Sequence, residues 1–76
     1  MISIFKTNIH SENELQKIAS YLNARISEII WNIDLLDSDK ILRIDSNTNK
    51  NEEVISLFNE VGYRCTNLET FYAEPF

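Results

Sequence analysis

The chain has one cysteine, one glycine, one proline and one histidine in its 76 residues, and each scarcity removes a class of protein. A lone Cys65 excludes an internal disulfide and a two-thiolate metal site within one chain, so nothing is gained from an oxidising compartment. With only Gly62 and Pro75 there is no glycine-rich phosphate loop, and no segment is biased enough to read as a linker. No second histidine accompanies His10, and spacing identifies no nucleophile beside a base, so no catalytic machinery is expected. Basic residues are also scarce. Seven Lys and Arg against twelve Asp and Glu give a net charge of −5, which repels phosphate backbones and anionic lipid and argues against nucleic-acid and membrane partners. No apolar run approaches membrane-spanning length, and the start "MISIFKTN" lacks the basic and apolar regions of a secretory signal, so a cytoplasmic location is expected.

What is present is a globular composition, 43% hydrophobic, in a chain near the lower size at which one core suffices. The period of the apolar residues gives the elements. In "MISIF", Ile2 and Ile4 share one face of a strand and Ser3 and Phe5 the other. From Leu15 the period is helical, with Leu15, Ile18, Ala19 and Leu22 on one side of a helix over residues 12–24. Period two returns at Ile29, Trp31, Ile33 and Leu35, the core face of a second strand on which Trp31 is an anchor. "DSDK" turns the chain into a third strand with Leu42 and Ile44 inward and Ile41, Arg43 and Asp45 outward. Asp34, Asp37, Asp39 and Asp45 around this hairpin read as a solvated face and turn, with weak cation binding as the alternative. A second helix carries Val54, Leu57, Phe58 and Val61 on its core face and stops at Gly62. "YRCTNLETFY" reads as a fourth strand with a less regular alternation.

The order β-α-β-β-α-β predicts an α+β, ferredoxin-like sandwich, a four-stranded antiparallel sheet with two helices on one face. Right-handed crossovers put the first and third strands in the centre, the fourth beside the first and the second beside the third. Residues 1–68 then form one domain, and residues 69–76 an aromatic tail. Two places are candidates for function. One edge brings residues 10–14 near residues 62–65. The other is the open sheet face, where Phe5, Ile30 and Ile41 lie on the parity opposite the core sets and form an apolar area for a protein partner or for self-association. An RNA-binding sheet would surround Phe5 with Lys and Arg, which are missing. Phe71, Tyr72 and Phe76 in the tail either cover the sheet or dock on another chain.

Ser11 and Glu14 have the Ser-x-x-Glu spacing of a capping box, in which the serine hydroxyl accepts from the Glu14 N–H and the Glu14 carboxylate reaches back to the Ser11 N–H. The alternative is a divalent ion such as Zn held by His10 with Glu12, Glu14 or Cys65. Cys65 is otherwise a small, partly buried hydrophobe.

"NIHSENEL" resembles the Gly-Met-His-Cys-x-x-Cys loop of heavy-metal-associated (HMA) domains, the module of copper chaperones and metal ATPases, with Ile9 where that family has Met. "WNIDL" is similar to the family's alternating strand ending in Asp-Leu, and "LFNEVGY" to its closing helix with Gly-Tyr, here Gly62 and Tyr63; the resemblance spans about residues 2–68. It implies a metal loop at Ile9, His10, Ser11 and Glu14 with Tyr63 over it, but Ser11 and Glu14 stand at both cysteine places. Cu(I) takes thiolate sulfur, which a neutral hydroxyl does not replace. The expectation is therefore a non-enzymatic HMA-like domain without cofactor that has lost its thiolate site and serves as a protein-interaction or regulatory module. The alternative is a heavy-metal-binding or transport domain with altered ligands.

Overall fold

Residues directly opposite each other on neighbouring strands point to the same face of a sheet, and this rule decides the inside of the protein. The computed structural model describes residues 1–72, with elements β1 (Ile2–Thr7), α1 (Glu12–Arg25), β2 (Ile29–Asp34), β3 (Ile41–Ser46), α2 (Asn51–Val61) and β4 (Cys65–Phe71). All strand pairs are antiparallel and form one sheet in the order β2-β3-β1-β4. The architecture is α+β, with β1 and β3 central and β2 and β4 at the edges.

Phe5 lies opposite Leu42, and Ser3 opposite Ile44. Because Leu42 and Ile44 are buried under the helices, Ser3 and Phe5 turn inward with them, and Ile2 and Ile4 go to the open face. This corrects the assignment of Phe5 to the open face: its side chain is 0% exposed and sits in one cluster with Ile18, Leu22, Val54, Leu57 and Phe58. An aromatic ring gains more from the core than an isoleucine does, and full burial of Phe5 contributes about 1.5–3 kcal/mol on an area basis. The same parity buries two hydroxyls. The Ser3 Oγ lies 3.3 Å from the Thr70 Oγ1, while the Thr7 hydroxyl donates to the Lys40 carbonyl at 2.7 Å and accepts from the Ile9 N–H. Among the described residues no buried side-chain polar atom is without a partner.

Helix α1 buries Ile18 and Leu22, and α2 buries Val54, Leu57 and Phe58, in keeping with their apolar period. A two-bond pair from the Arg25 guanidinium to the Glu60 carboxylate, at 2.9 and 3.2 Å, joins them. Helix α2 ends as its sequence predicts, with Gly62 left-handed at φ 96° and the Tyr63 N–H donating to the Phe58 carbonyl, which closes the last turn. Trp31 packs half-buried on the helix side and donates from its indole N–H to the Asn23 Oδ1 at 3.0 Å.

The hairpin acids build their turn. Asp34 accepts from the Leu36 N–H and Asp37 from the Asp39 N–H, and the Lys40 ammonium caps the Leu35 carbonyl while its own backbone is left-handed at φ 48°. Strand β4 explains its own irregular sequence. A register shift opposite Ile4 and Phe5 leaves Leu68 as an extra residue, and beyond it Glu69, Thr70 and Phe71 pair with Ile4, Ser3 and Ile2. The sheet thus continues three residues past the boundary at 68 expected from the sequence. Phe76 lies outside the described residues.

Candidate functional site

The edge where β1 hands over to α1 is tied to the turn between α2 and β4. The Arg64 N–H donates to the Asn8 Oδ1 at 2.8 Å, and the Asn8 N–H returns to the Arg64 carbonyl at 3.4 Å. The loop therefore lies beside the turn before β4, and the Lys17 ammonium sits 5.7 Å above the Tyr63 ring at the same place. Tyr63 itself packs half-buried against the core.

Within the loop, Ser11 is the N-cap of α1 in extended conformation, and its Oγ accepts from the Glu14 N–H at 3.2 Å. The Glu14 carboxylate reaches back as expected but takes a different donor. It accepts from the His10 N–H at 2.7 Å, one residue before the Ser11 N–H that the capping box predicts. Glu12 and Glu14 also set negative charge on the positive end of the helix. Ile9 is fully buried, so the backbone enters the loop from an anchored residue, while His10 is exposed.

Cys65 is near in the chain path and remote in orientation. It lies opposite Thr7 at the start of β4, so both side chains turn to the helix-covered side, where Cys65 is buried. Burial pushes its thiol up to about 12, so it is protonated at neutral pH. Among the described residues no group of three His, Cys, Asp or Glu side chains converges as a ligand set. Ser11 and Glu14, whose polar groups are engaged with backbone N–H groups, do not fit Cu(I).

The open sheet face is the second candidate. Reading across the strands, one row is Ile30, Asp45, Ile2 and Phe71, and the next is Asn32, Arg43, Ile4 and Glu69. Ile2, Ile4 and Phe71 are neighbours in an apolar strip, whereas Ile30 is set apart from it by Asp45 and Ile41 lies opposite Asp34. Ile30 is 74% exposed and Phe71 47%. Tyr72 stands off this strip, its hydroxyl accepting from the Asn49 side-chain amide at 3.3 Å. Two residues of this face, Ile2 and Ile4, were missed by the sequence reading; their signal was the register with Asp45 and Arg43, which needs the pairing. Leu36, 97% exposed in the β2–β3 turn, was missed as well.

No protein-family model, curated protein or solved structure matches this chain.

Proposed function

We propose that this chain is a ferredoxin-like domain of the HMA kind whose metal loop has become a helix cap, and that it acts without catalysis as a cytoplasmic protein-interaction module. The observation that carries the reading is the use of both ligand places in the loop: the Ser11 hydroxyl and the Glu14 carboxylate each accept from a backbone N–H at the start of α1. The strand order β2-β3-β1-β4 and the Asn8 to Arg64 clasp support the ferredoxin-like part. The apolar strip Ile2, Ile4 and Phe71, flanked by Arg43 and Glu69, supports a protein partner, since an apolar strip with a charged rim is the usual composition of a docking surface.

Equilibrium titration with Cu(I) and Zn(II) tests the reading. The parent is expected to show no stoichiometric binding, and the Ser11→Cys, Glu14→Cys double variant is expected to gain Cu(I) affinity, because the two places are three apart at a loop-to-helix junction. Tight stoichiometric binding by the parent, lost in His10→Ala or Cys65→Ser, would overturn the loss of the metal site. No gain in the double variant would refute the alignment of "IHSENEL" with the HMA loop.

A further inference from the structure

Strand β4 consists of two half-strands joined at a fault. Cys65, Thr66 and Asn67 pair with Thr7, Lys6 and Phe5, the register then shifts, and Glu69, Thr70 and Phe71 pair with Ile4, Ser3 and Ile2. The halves are fastened unequally. The first buries Cys65 under the helices and follows directly on the Asn8 to Arg64 clasp. In the second, the residue on the helix side is Thr70, opposite Ser3, which brings a hydroxyl where β1 and β3 bring Phe5, Leu42 and Ile44. Glu69, Phe71 and Tyr72 are exposed, so no apolar side chain of residues 69–72 enters the core. Hydrogen bonds stand in its place. The Thr70 Oγ1 lies 3.3 Å from the Ser3 Oγ and accepts from the side-chain amides of Asn51 at 3.0 Å and Asn67 at 3.3 Å, while the Tyr72 hydroxyl accepts from Asn49.

We infer that residues 69–72 are a strap that opens as one unit, hinged at Asn67 and Leu68, while the rest of the sheet and both helices stay folded. Segments that open below the global free energy are those with few buried apolar contacts and solvent-bordered backbone bonds, and an edge half-strand closed by one hydroxyl cluster meets both conditions. The bulge sets the hinge. Leu68 is the extra residue there and is 52% exposed, and the Asn67 side-chain amide takes the Ile4 carbonyl at 3.2 Å, so the ladder is already interrupted where the strap begins. Opening to this point uncovers no member of the core cluster, whereas opening one half-strand further would expose Cys65. The strap carries Phe71, which stands opposite Ile2 on the open face. Each opening therefore takes one of three residues out of the apolar strip, and closure assembles it. That consequence rests on the strip being the docking surface; the opening does not.

Native-state hydrogen exchange of the full chain, read residue by residue by NMR, tests the inference with two substitutions. In the parent, the amides of residues 69–71 that bond to β1 are expected to have protection factors at least about 100-fold below those of Leu42 and Ile44, and a weaker dependence on urea. Those of residues 65–67 should stay with the protected group. Ile18→Val weakens packing that persists when the strap is open, so it should lower protection at Leu42 and Ile44 about fivefold and leave the strap unchanged. Thr70→Val removes a latch that is missing from the open and the unfolded state alike, so it should lower protection in the strap and in β3 together, by about fivefold. Strap amides as protected as Leu42 and Ile44, or strap amides that lose protection in Ile18→Val as the core does, would overturn the inference. Residues 65–67 exchanging with the strap would overturn the hinge, and a strap indifferent to Thr70→Val would overturn the latch. Metal titration is independent of all these rates, so their failure leaves the reading of the loop standing.

Discussion

Replacing Ser11 by Ala isolates the cap from every other role of the loop. The change removes the acceptor of the Glu14 N–H, a bond of 3.2 Å at an exposed position, and leaves the Glu14 carboxylate on the His10 N–H. Loss of such a cap costs about 0.5–2 kcal/mol. Water reaches the freed N–H here, and the second bond of the loop survives, so about 1 kcal/mol is expected. For a domain of this size that lowers the Tm by about 4–8 °C. Urea unfolding monitored by Trp31 fluorescence measures it, in chelator and again with Zn(II). A cap acts on the helix alone, so the loss should be equal in both. A bound ion would instead stabilise the native state by RT ln(1 + [L]/Kd), about 2.7 kcal/mol at a hundredfold excess over Kd. A loss that grows with added Zn(II) would refute the cap as the role of Ser11.

Three further outcomes follow from burial and charge. Phe5→Ala should cost about 3–5 kcal/mol, and Ile4→Ala on the half-covered open face about 1 kcal/mol. Denaturant midpoints of the two variants check this, and equal losses would contradict the assignment of faces. Cys65 should label slowly with a thiol reagent near pH 8 and quickly once unfolded in urea. Its folded value of about 12 exceeds the ordinary 9.0, so the unfolded thiol ionises first and stability should fall as pH rises between these values; Cys65→Ala should remove that part of the slope. The Glu60 carboxyl is lowered, first by the hydrogen bond from Arg25 and then by its charge. Its contribution is present above the ordinary 4.5 and lost as pH falls through the lower folded value, so the stability gap between parent and Glu60→Gln should close in acid, and a gap indifferent to pH would refute the pair.

The helices were legible because their information is local. In α2 the apolar period, the paired glutamates at its start and Gly62 at its end all act within a few residues, and the structure has the same core face and the same stop. β1 was harder, for a physical reason. "ISIF" offers apolar side chains on both parities, so nothing within the strand says which side is inside. The polar residues that mark the outside, Arg43 and Asp45, are on β3 and speak for β1 only through the pairing of Ile4 and Ile2 with them. β4 was obscured by its extra residue: Asn67 and Leu68 shift the alternation, and a period-two reading that starts at Cys65 is out of phase by Glu69.

The loop shows the same division between local and distant information. Ser11 and Glu14 could be paired from their spacing, since a cap is made within one turn, and only the donor taken by the carboxylate moved by one residue. Cys65 could be brought to the same end of the sheet by topology, and the Asn8 to Arg64 clasp does lie there. Topology alone does not give the direction of a side chain. Opposite Thr7, Cys65 must face the helices, and the residue after it, Thr66, opposite Lys6, faces the open side. Burial then raises the thiol. Position, one residue off the exposed parity, thus withholds the chain's only cysteine from the loop, independently of what Ser11 and Glu14 are.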